Sequence, residues 1–404
     1  MSSPLRTAAT HTLDEKTARA LWNWLLRRQG LADDTRFHDV EPIAHAALGL
    51  HAARLPSPYA TVAARSTGPD AAAALLTDGS RQQLLTVRCM RKTLHALPLD
   101  LAAAAHAATR HYRERDALRA VVNAGERSQD VENACDDLAR LLDEHGPLQH
   151  RDIEQRLAQQ GIPTVRARLA VKLCWERGTT AYLNTSQAWN REVRTFALTK
   201  HAYPTADFDQ DRTAATTTLI EAYFDRYGPA SLKDAMWWSA LSRAAITTAL
   251  NACQRDLVTV TTPWSDQPQY MFADRLAQFH ATDHSQHTTG VNLLAHEDVA
   301  LKAYFDTRTR YLADLPARRA FNQIGEALPT IAHDGHVIGT WAWDEATRRV
   351  TTSTVRDRAD AAVRRLIRAR ADQLTHTLRR CWTSGQPTRT ATIPGQTQLL
   401  LTSS

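Results

Sequence analysis

The chain has 404 residues, 43% of them hydrophobic and 23% charged, with a formal net charge of +6 and a pI of about 9.2. No apolar run reaches the roughly 18 residues of a membrane span. The start, Met1-Ser2-Ser3-Pro4-Leu5-Arg6, lacks the charged-then-apolar layout of a signal peptide, so the composition reads as a soluble, cytoplasmic protein of two to four domains. The modest positive excess favours a polyanionic partner. The five cysteines, Cys89, Cys135, Cys174, Cys253 and Cys381, are odd in number, widely spaced and without a C-x-x-C pair. That pattern speaks against a disulfide scaffold or a zinc site and for buried thiols.

In chain order, Leu13 to Arg28 has the apolar spacing of an amphipathic helix and stops at Gly30. A second helix is expected from Glu41 to Leu50, then a short turn carrying His51. Short helices follow at Tyr59 to Arg65 and Asp70 to Leu76. Gln83 to Cys89 and Thr93 to Leu97 read as neighbouring strands, with Arg88, Arg91 and Lys92 around their connection. An Ala-rich helix runs from Asp100 to about Arg115.

A near-repeat comes next. Gly146-Pro147-Leu148 and Gly228-Pro229-Ala230 each follow a helix (Val131 to Glu144; Thr216 to Tyr227). Each precedes two more helices (His150 to Gln160 and Thr164 to Arg177; Leu232 to Ser239 and Ser242 to Arg255). Each unit ends in a hairpin, Thr179 to Leu198 or Leu257 to Phe272. Helix, turn, helix, helix, hairpin is the order of a winged helix-turn-helix. The stretch Leu13 to Leu97 reads as a third, diverged copy.

In the last third, Asp334-Gly335 between apolar runs signals a hairpin. Trp341 to Trp343 and Val350 to Val355 read as strands, Asp357 to Trp382 as an Arg-rich helix, and Thr390 to Leu401 as a returning strand. The expected fold is mainly α with small β-hairpins (α+β). Three tandem winged-helix units, residues 1–115, 116–205 and 206–285, surround a DNA-sized cleft, and residues 286–404 form a mixed β/α module.

Gly49-Leu50-His51-Ala52-Ala53-Arg54-Leu55-Pro56-Ser57-Pro58-Tyr59 presents one histidine on a turn with a stiffened exit. Imidazole carries a proton near neutral pH, so His51 is a candidate acid–base group; a helix-end histidine bonding a local carbonyl is the plain alternative. Trp264-Ser265-Asp266-Gln267-Pro268 forms a hairpin tip whose aromatic suits a groove wedge or an ordinary wing, and Trp237-Trp238 reads as core. His280, His284 and His287 lie in a polar stretch that reads as a linker rather than a metal site; no metal and no cofactor are expected.

Several runs together carry a resemblance. They are Leu25-Leu26-Arg27-Arg28-Gln29-Gly30-Leu31, Gly49 to Ala53 with Pro58-Tyr59, Met90-Arg91-Lys92-Thr93-Leu94-His95, Tyr227-Gly228-Pro229-Ala230, Leu293-Leu294 with Asp298, and Asp334 to Trp341. In this order and spacing the chain resembles the AlkZ/YcaQ-like DNA glycosylases, a family of tandem winged-helix proteins. The resemblance implies a monofunctional glycosylase. Its partner is double-stranded DNA carrying bulky alkylated purines, and its setting is DNA repair or self-resistance to an alkylating antibiotic. It implies a monomer with a roomy cleft.

The family's Gln-x-Gln or Gln-x-Asp motif falls on His51 and Ala53, so an imidazole replaces the first carboxamide and the second polar group is lost. His51 becomes the implied general base, with Asp298 its implied electrostatic partner. Arg54, Tyr59, Arg88, Arg91, Lys92 and Trp264 become the implied DNA contacts. Ala53 keeps open the alternative of a non-catalytic DNA-binding protein, a regulator or lesion sensor.

Overall fold

The computed structural model describes residues 4–68, 70–284 and 288–382. His287 and the strand expected at Thr390 to Leu401 lie outside the described residues. Three of the four small sheets share one plan. A short first strand pairs antiparallel with the second strand of a hairpin: Leu50–His51 with Leu94–Pro98, Leu148–Gln149 with Arg194–Leu198, and, as a single bridge, Ala230 with Tyr270. The hairpins are completed by Leu84–Arg88, Thr180–Asn184 and Leu257–Thr262. His51 therefore stands on the short first strand of the first unit, opposite His95.

Local chemistry accounts for the helices that carry these strands. Asp14 begins the first helix, Glu15–Arg27, by accepting from the Thr17 N–H at 2.7 Å. Ser231 and Asp234 form a reciprocal capping box on Leu232–Ser239. Thr164–Arg177 stops at Gly178, whose φ of 85° suits only a residue without a Cβ penalty.

The Ala-rich helix is longer than expected. Leu99–Asn123 runs past Arg115 because Ala117 to Val122 holds no breaker before Gly125, so the boundary expected at 115/116 falls inside a continuous helix. That helix packs on Arg212–Tyr227 and on Thr164–Arg177, joining the units.

Residues 128–198 share a separate core with Ala117 and Val121 of the long helix, built from Val131, Leu138, Leu142, Ile153, Leu157 and Val171 among others. The first helix instead shares one core with Arg212–Tyr227, Leu232–Ser239 and the start of the last module, around Trp22, Tyr223, Trp238 and Tyr304. An unexpected strand, Thr10–Thr12, pairs parallel with Leu257–Thr262 and ties the first residues to the third hairpin.

The last module is a four-stranded antiparallel sheet, Val291–Leu294, Thr330–His333, His336–Asp344 and Arg349–Thr354, covered by the helix Ala361–Arg380. Asp334 (φ 44°) and Gly335 (φ 78°) make the tight turn that the Asp-Gly pair signalled. The Gly335 carbonyl accepts the Trp22 indole N–H at 2.9 Å, docking the module on the first helix. Among the described residues no helix is long and apolar enough to cross a membrane.

Candidate active site

Gly49 sets the turn. Its φ is +98°, and a Cβ there would lie 2.3 Å from Leu97 Cδ2. The chain then pairs Leu50 with Ala96 and His51 with His95, and the Ala52 N–H donates to the Leu94 carbonyl at 2.8 Å. This fixes the backbone on both sides of His51.

The His51 imidazole is 3% exposed, and neither Nδ1 nor Nε2 has a hydrogen-bond partner. Its ring lies edge-on to His95 at 5.4 Å and 6.4 Å from His296. Burial, followed by Lys302, His95, His296 and Arg91, pushes its pKa well below that of a free imidazole. His51 is therefore neutral, with a lone pair to offer. His95 is buried and depressed in the same way by burial and Lys302, while its Nδ1 stands 3.1 Å from the Thr93 carbonyl.

The charges around this pair come from distant segments. Glu297 is buried. Its Oε2 lies 3.1 Å from Lys302 Nζ and 3.7 Å from Arg91, and its Oε1 accepts the Ala327 N–H at 2.6 Å. Burial pushes its carboxyl up, but Lys302 and Arg91 outweigh that and hold it below the ordinary carboxylate range. Further out, Glu326 is 3.6 Å from both His296 and Arg54. Arg54 is the most open member, its side chain 56% exposed.

This arrangement corrects the expectation of a roomy cleft at His51. The ring is covered, next to the partly exposed His296 and Glu326. Three cavities of about 500, 110 and 590 Å³ have linings that do not include it.

The other residues singled out from sequence divide. Arg54 and Arg91 come together beside His51, through Glu326 and Glu297. Asp298 does not. It is fully buried and holds Arg65 in a two-pronged ion pair, with bonds of 2.7 and 2.9 Å, while its Oδ1 also caps the helix Val299–Lys302. The acidic residue of the cluster is its neighbour Glu297, whose φ of 56° departs from ordinary backbone.

Arg88 is buried in an ion pair with Glu176, which Arg113 also engages, so it is structural rather than turned to a phosphate. Lys92 pairs with Asp116 on the long helix. Tyr59 is buried and lines the 110 Å³ cavity with Ala52, Tyr182 and Tyr203, away from solvent-facing DNA contacts. Trp264 does sit at the hairpin tip, but its ring packs 4.4 Å from the Arg310 guanidinium and its carbonyl accepts the Thr309 hydroxyl, so it is anchored to the last module. His284 stacks on Phe279 at 4.4 Å, with Nε2 2.8 Å from the Phe279 carbonyl.

Sequence reasoning missed Glu297, Lys302, Trp237 and Arg308. Trp238 is core as expected, but Trp237 is only half-buried. Arg91 lies 3.9 Å over its ring, and Arg308 lies 5.4 Å from it. The interleaving of arginines and aromatics in Tyr304-Phe305-Asp306-Thr307-Arg308-Thr309-Arg310-Tyr311 was the available signal.

Comparison with known proteins identifies the family and the fold. The family model for AlkZ-like DNA glycosylases matches residues 44–380. The solved structure of the Streptomyces sahachiroi DNA glycosylase AlkZ is similar over 91% of this chain and 98% of that one, at 19% identity and a TM-score of 0.72, a likeness of fold. No curated protein sequence matches. The family match spans most of the chain, including the His51 strand and the Glu297 cluster, and the chain belongs to the AlkZ-like DNA glycosylase family.

Proposed function

We propose that this chain is a monofunctional DNA glycosylase that hydrolyses the N-glycosidic bond of bulky N7-alkylated purines, with His51 as the base that activates water. One observation carries the reading: a buried, neutral imidazole with both ring nitrogens unpartnered, held between Lys302, Arg91, His95 and His296. A buried polar atom without a partner costs about 1–3 kcal/mol, so a water or substrate atom completes the site when it enters.

N7 alkylation makes the purine a cationic leaving group, and little acid assistance is needed to expel it. A weak base then suffices to take a proton from the attacking water as the bond to sugar C1′ breaks. Such assistance supplies about 10²–10⁴-fold. Glu297, kept ionised by Lys302 and Arg91, is the negative charge available to steady the developing oxocarbenium ion.

Access requires the outer side chains to part. The Arg54–Glu326 and His296–Glu326 contacts are both 3.6 Å, longer than hydrogen bonds, and an ion pair with a member as open as Arg54 is worth only about 0–1 kcal/mol. Ala53, half-exposed beside the turn, leaves room where the family carries a polar side chain. The three helix–helix–hairpin units are read as winged helices embracing duplex DNA, in the setting of alkylation repair or antibiotic self-resistance.

The test is incubation with duplex containing defined N7-guanine adducts, followed by detection of abasic sites. The wild-type chain releases base, and His51→Ala keeps its DNA affinity but loses release. Undiminished release by that variant would remove His51 from the chemistry. A sequence preference on undamaged duplex without base release would favour a regulator instead.

A further inference from the structure

The charges around His51 do not balance. Arg54, Arg91, Lys302 and Arg308 gather there against two carboxylates, Glu297 and Glu326. A positive surplus beyond what Glu297 and Glu326 neutralise suits an anion.

Arg91 and Arg308 hold the surplus in an unusual way. Both guanidinium groups rest on the Trp237 indole, at 3.9 and 5.4 Å. Arg308 also lies 3.8 Å over Phe321 and 4.8 Å over Phe305, and its Nε donates to the Tyr304 carbonyl at 3.2 Å. Among the described residues no carboxylate pairs with Arg308. Arg91 Nη1 and Arg308 Nη2 are both buried donors without a hydrogen bond, Arg91 Nη1 having only Glu297 Oε2 at 3.7 Å, beyond hydrogen-bond reach. Burial favours the neutral form of Arg91, Glu297 opposes this, and the neighbouring Arg308 charge acts with burial.

The arrangement is built rather than incidental. Asp234 Oδ1 accepts the N–H groups of Phe305, Asp306 and Thr307 at 2.7, 2.6 and 3.3 Å, and its Oδ2 accepts the Thr307 hydroxyl at 2.9 Å. One buried carboxylate thus shapes the loop that delivers Arg308. It sits on the same helix, Leu232–Ser239, that delivers Trp237.

We propose that Arg91 and Arg308, laid together on the Trp237 indole, form a two-guanidinium clamp for one backbone phosphate of the damaged strand, beside the nucleotide that His51 attacks. The placement beside that nucleotide rests on the glycosylase reading. The two planar forks supply the unfilled donors, the phosphate oxygens supply the acceptors, and the anion relieves the repulsion between the two arginines. Trp237 is the positioning residue: its rigid ring fixes both forks before DNA arrives.

The test uses the full chain and a duplex with a central tetrahydrofuran abasic-site analogue, in which single phosphates near the lesion are replaced in turn by neutral methylphosphonates. The wild-type chain loses about tenfold in affinity at one flanking position, the size of one lost charge-assisted contact. Arg308→Gln is about tenfold weaker on the unmodified duplex, its slope of log affinity against log salt is shallower by about 0.9, and it shows no further loss at that position. Equal losses in the wild type and Arg308→Gln, or no sensitive phosphate at all, overturn the clamp. Arg308→Lys serves as a second variant should Arg308→Gln fail to fold: charge without the fork recovers the salt slope but not the affinity. Base release from duplex carrying a bulky N7-guanine adduct is read separately. Its absence in the wild type refutes the glycosylase reading while a coupled phosphate still establishes the clamp.

Discussion

Arg65 and Asp298 are joined by two hydrogen bonds of 2.9 and 2.7 Å, and neither side chain is exposed to solvent. The pair fastens the helix that follows the His51 turn, Ser57–Arg65, to the loop that follows Glu297. It sets the two halves of the site against each other without touching the reaction. Asp298→Ala leaves Arg65 as a buried, unpaired cation and is expected to cost about 3–5 kcal/mol. Urea denaturation measures that loss. A catalytic Asp298 would instead leave the unfolding midpoint near that of the wild type and lower base release alone.

Acid should weaken the fold in a defined window. His51, His95 and His106 are all buried, and all are depressed first by burial, then by Lys302 for the first two and Arg113 for the third. In the unfolded chain each titrates near 6.5. Above that pH both states are neutral and the three groups add no pH dependence. Below it the unfolded chain takes up protons that the folded chain refuses, so stability falls with pH. The expected slope is up to about 1.4 kcal/mol per pH unit for each histidine. Urea midpoints should be flat from pH 7.5 to 8.5 and fall between 6.5 and 5.5. His106→Leu, which removes a ring 4.7 Å from Phe208 and outside the site, should make the slope shallower with base release unchanged.

The Gly49 turn makes a sharper demand. Gly49→Ala puts a Cβ against Leu97 at a φ of +98°. The strain and the displaced Leu97 should cost about 2 kcal/mol or more. Because the next two residues carry the pairing that holds His51, base release should fall by more than the fraction of unfolded chain. Activity per folded molecule, read with a melting curve on the same sample, separates the two effects.

Ala53 governs which adducts fit under the proposed mechanism. Ala53→Gln returns a carboxamide beside the turn and fills the space that alanine leaves. Release of N7-methylguanine should rise relative to a bulky N7 adduct, and the ratio of the two rates should shift about tenfold, as steric changes in a pocket typically do. Single-turnover assays on the two substrates give the ratio; an unchanged ratio would place Ala53 away from the adduct.

Much of this architecture is legible because the signals are local. The capping box at Ser231, the stop at Gly178 and the Asp334-Gly335 turn each act within a few residues. Thr10–Thr12 has no such signal, since its partner lies some 250 residues away and three threonine-rich residues carry no periodicity of their own. The site divides in the same way. His51 is visible because its turn is visible, whereas Glu297, Lys302, Trp237 and Arg308 become neighbours only when the last module docks. Glu297 and Asp298 are adjacent acids with opposite fates, one beside Lys302 and the other beside Arg65, and nothing in their spacing separates them. Arg88 looks like a free surface cation until Glu176, from the second unit, meets it in the interior.

The parallel pairing of Thr10–Thr12 with Leu257–Thr262 has a consequence for biogenesis. The strand synthesised first waits for one made some 250 residues later, so this sheet is among the last to close on a ribosome-bound chain. The second unit, whose interior needs only the end of the long helix before it, can condense meanwhile. Until the third hairpin and the last module emerge, the first helix keeps an uncovered apolar face, and that interval is when the nascent protein most needs protection from aggregation.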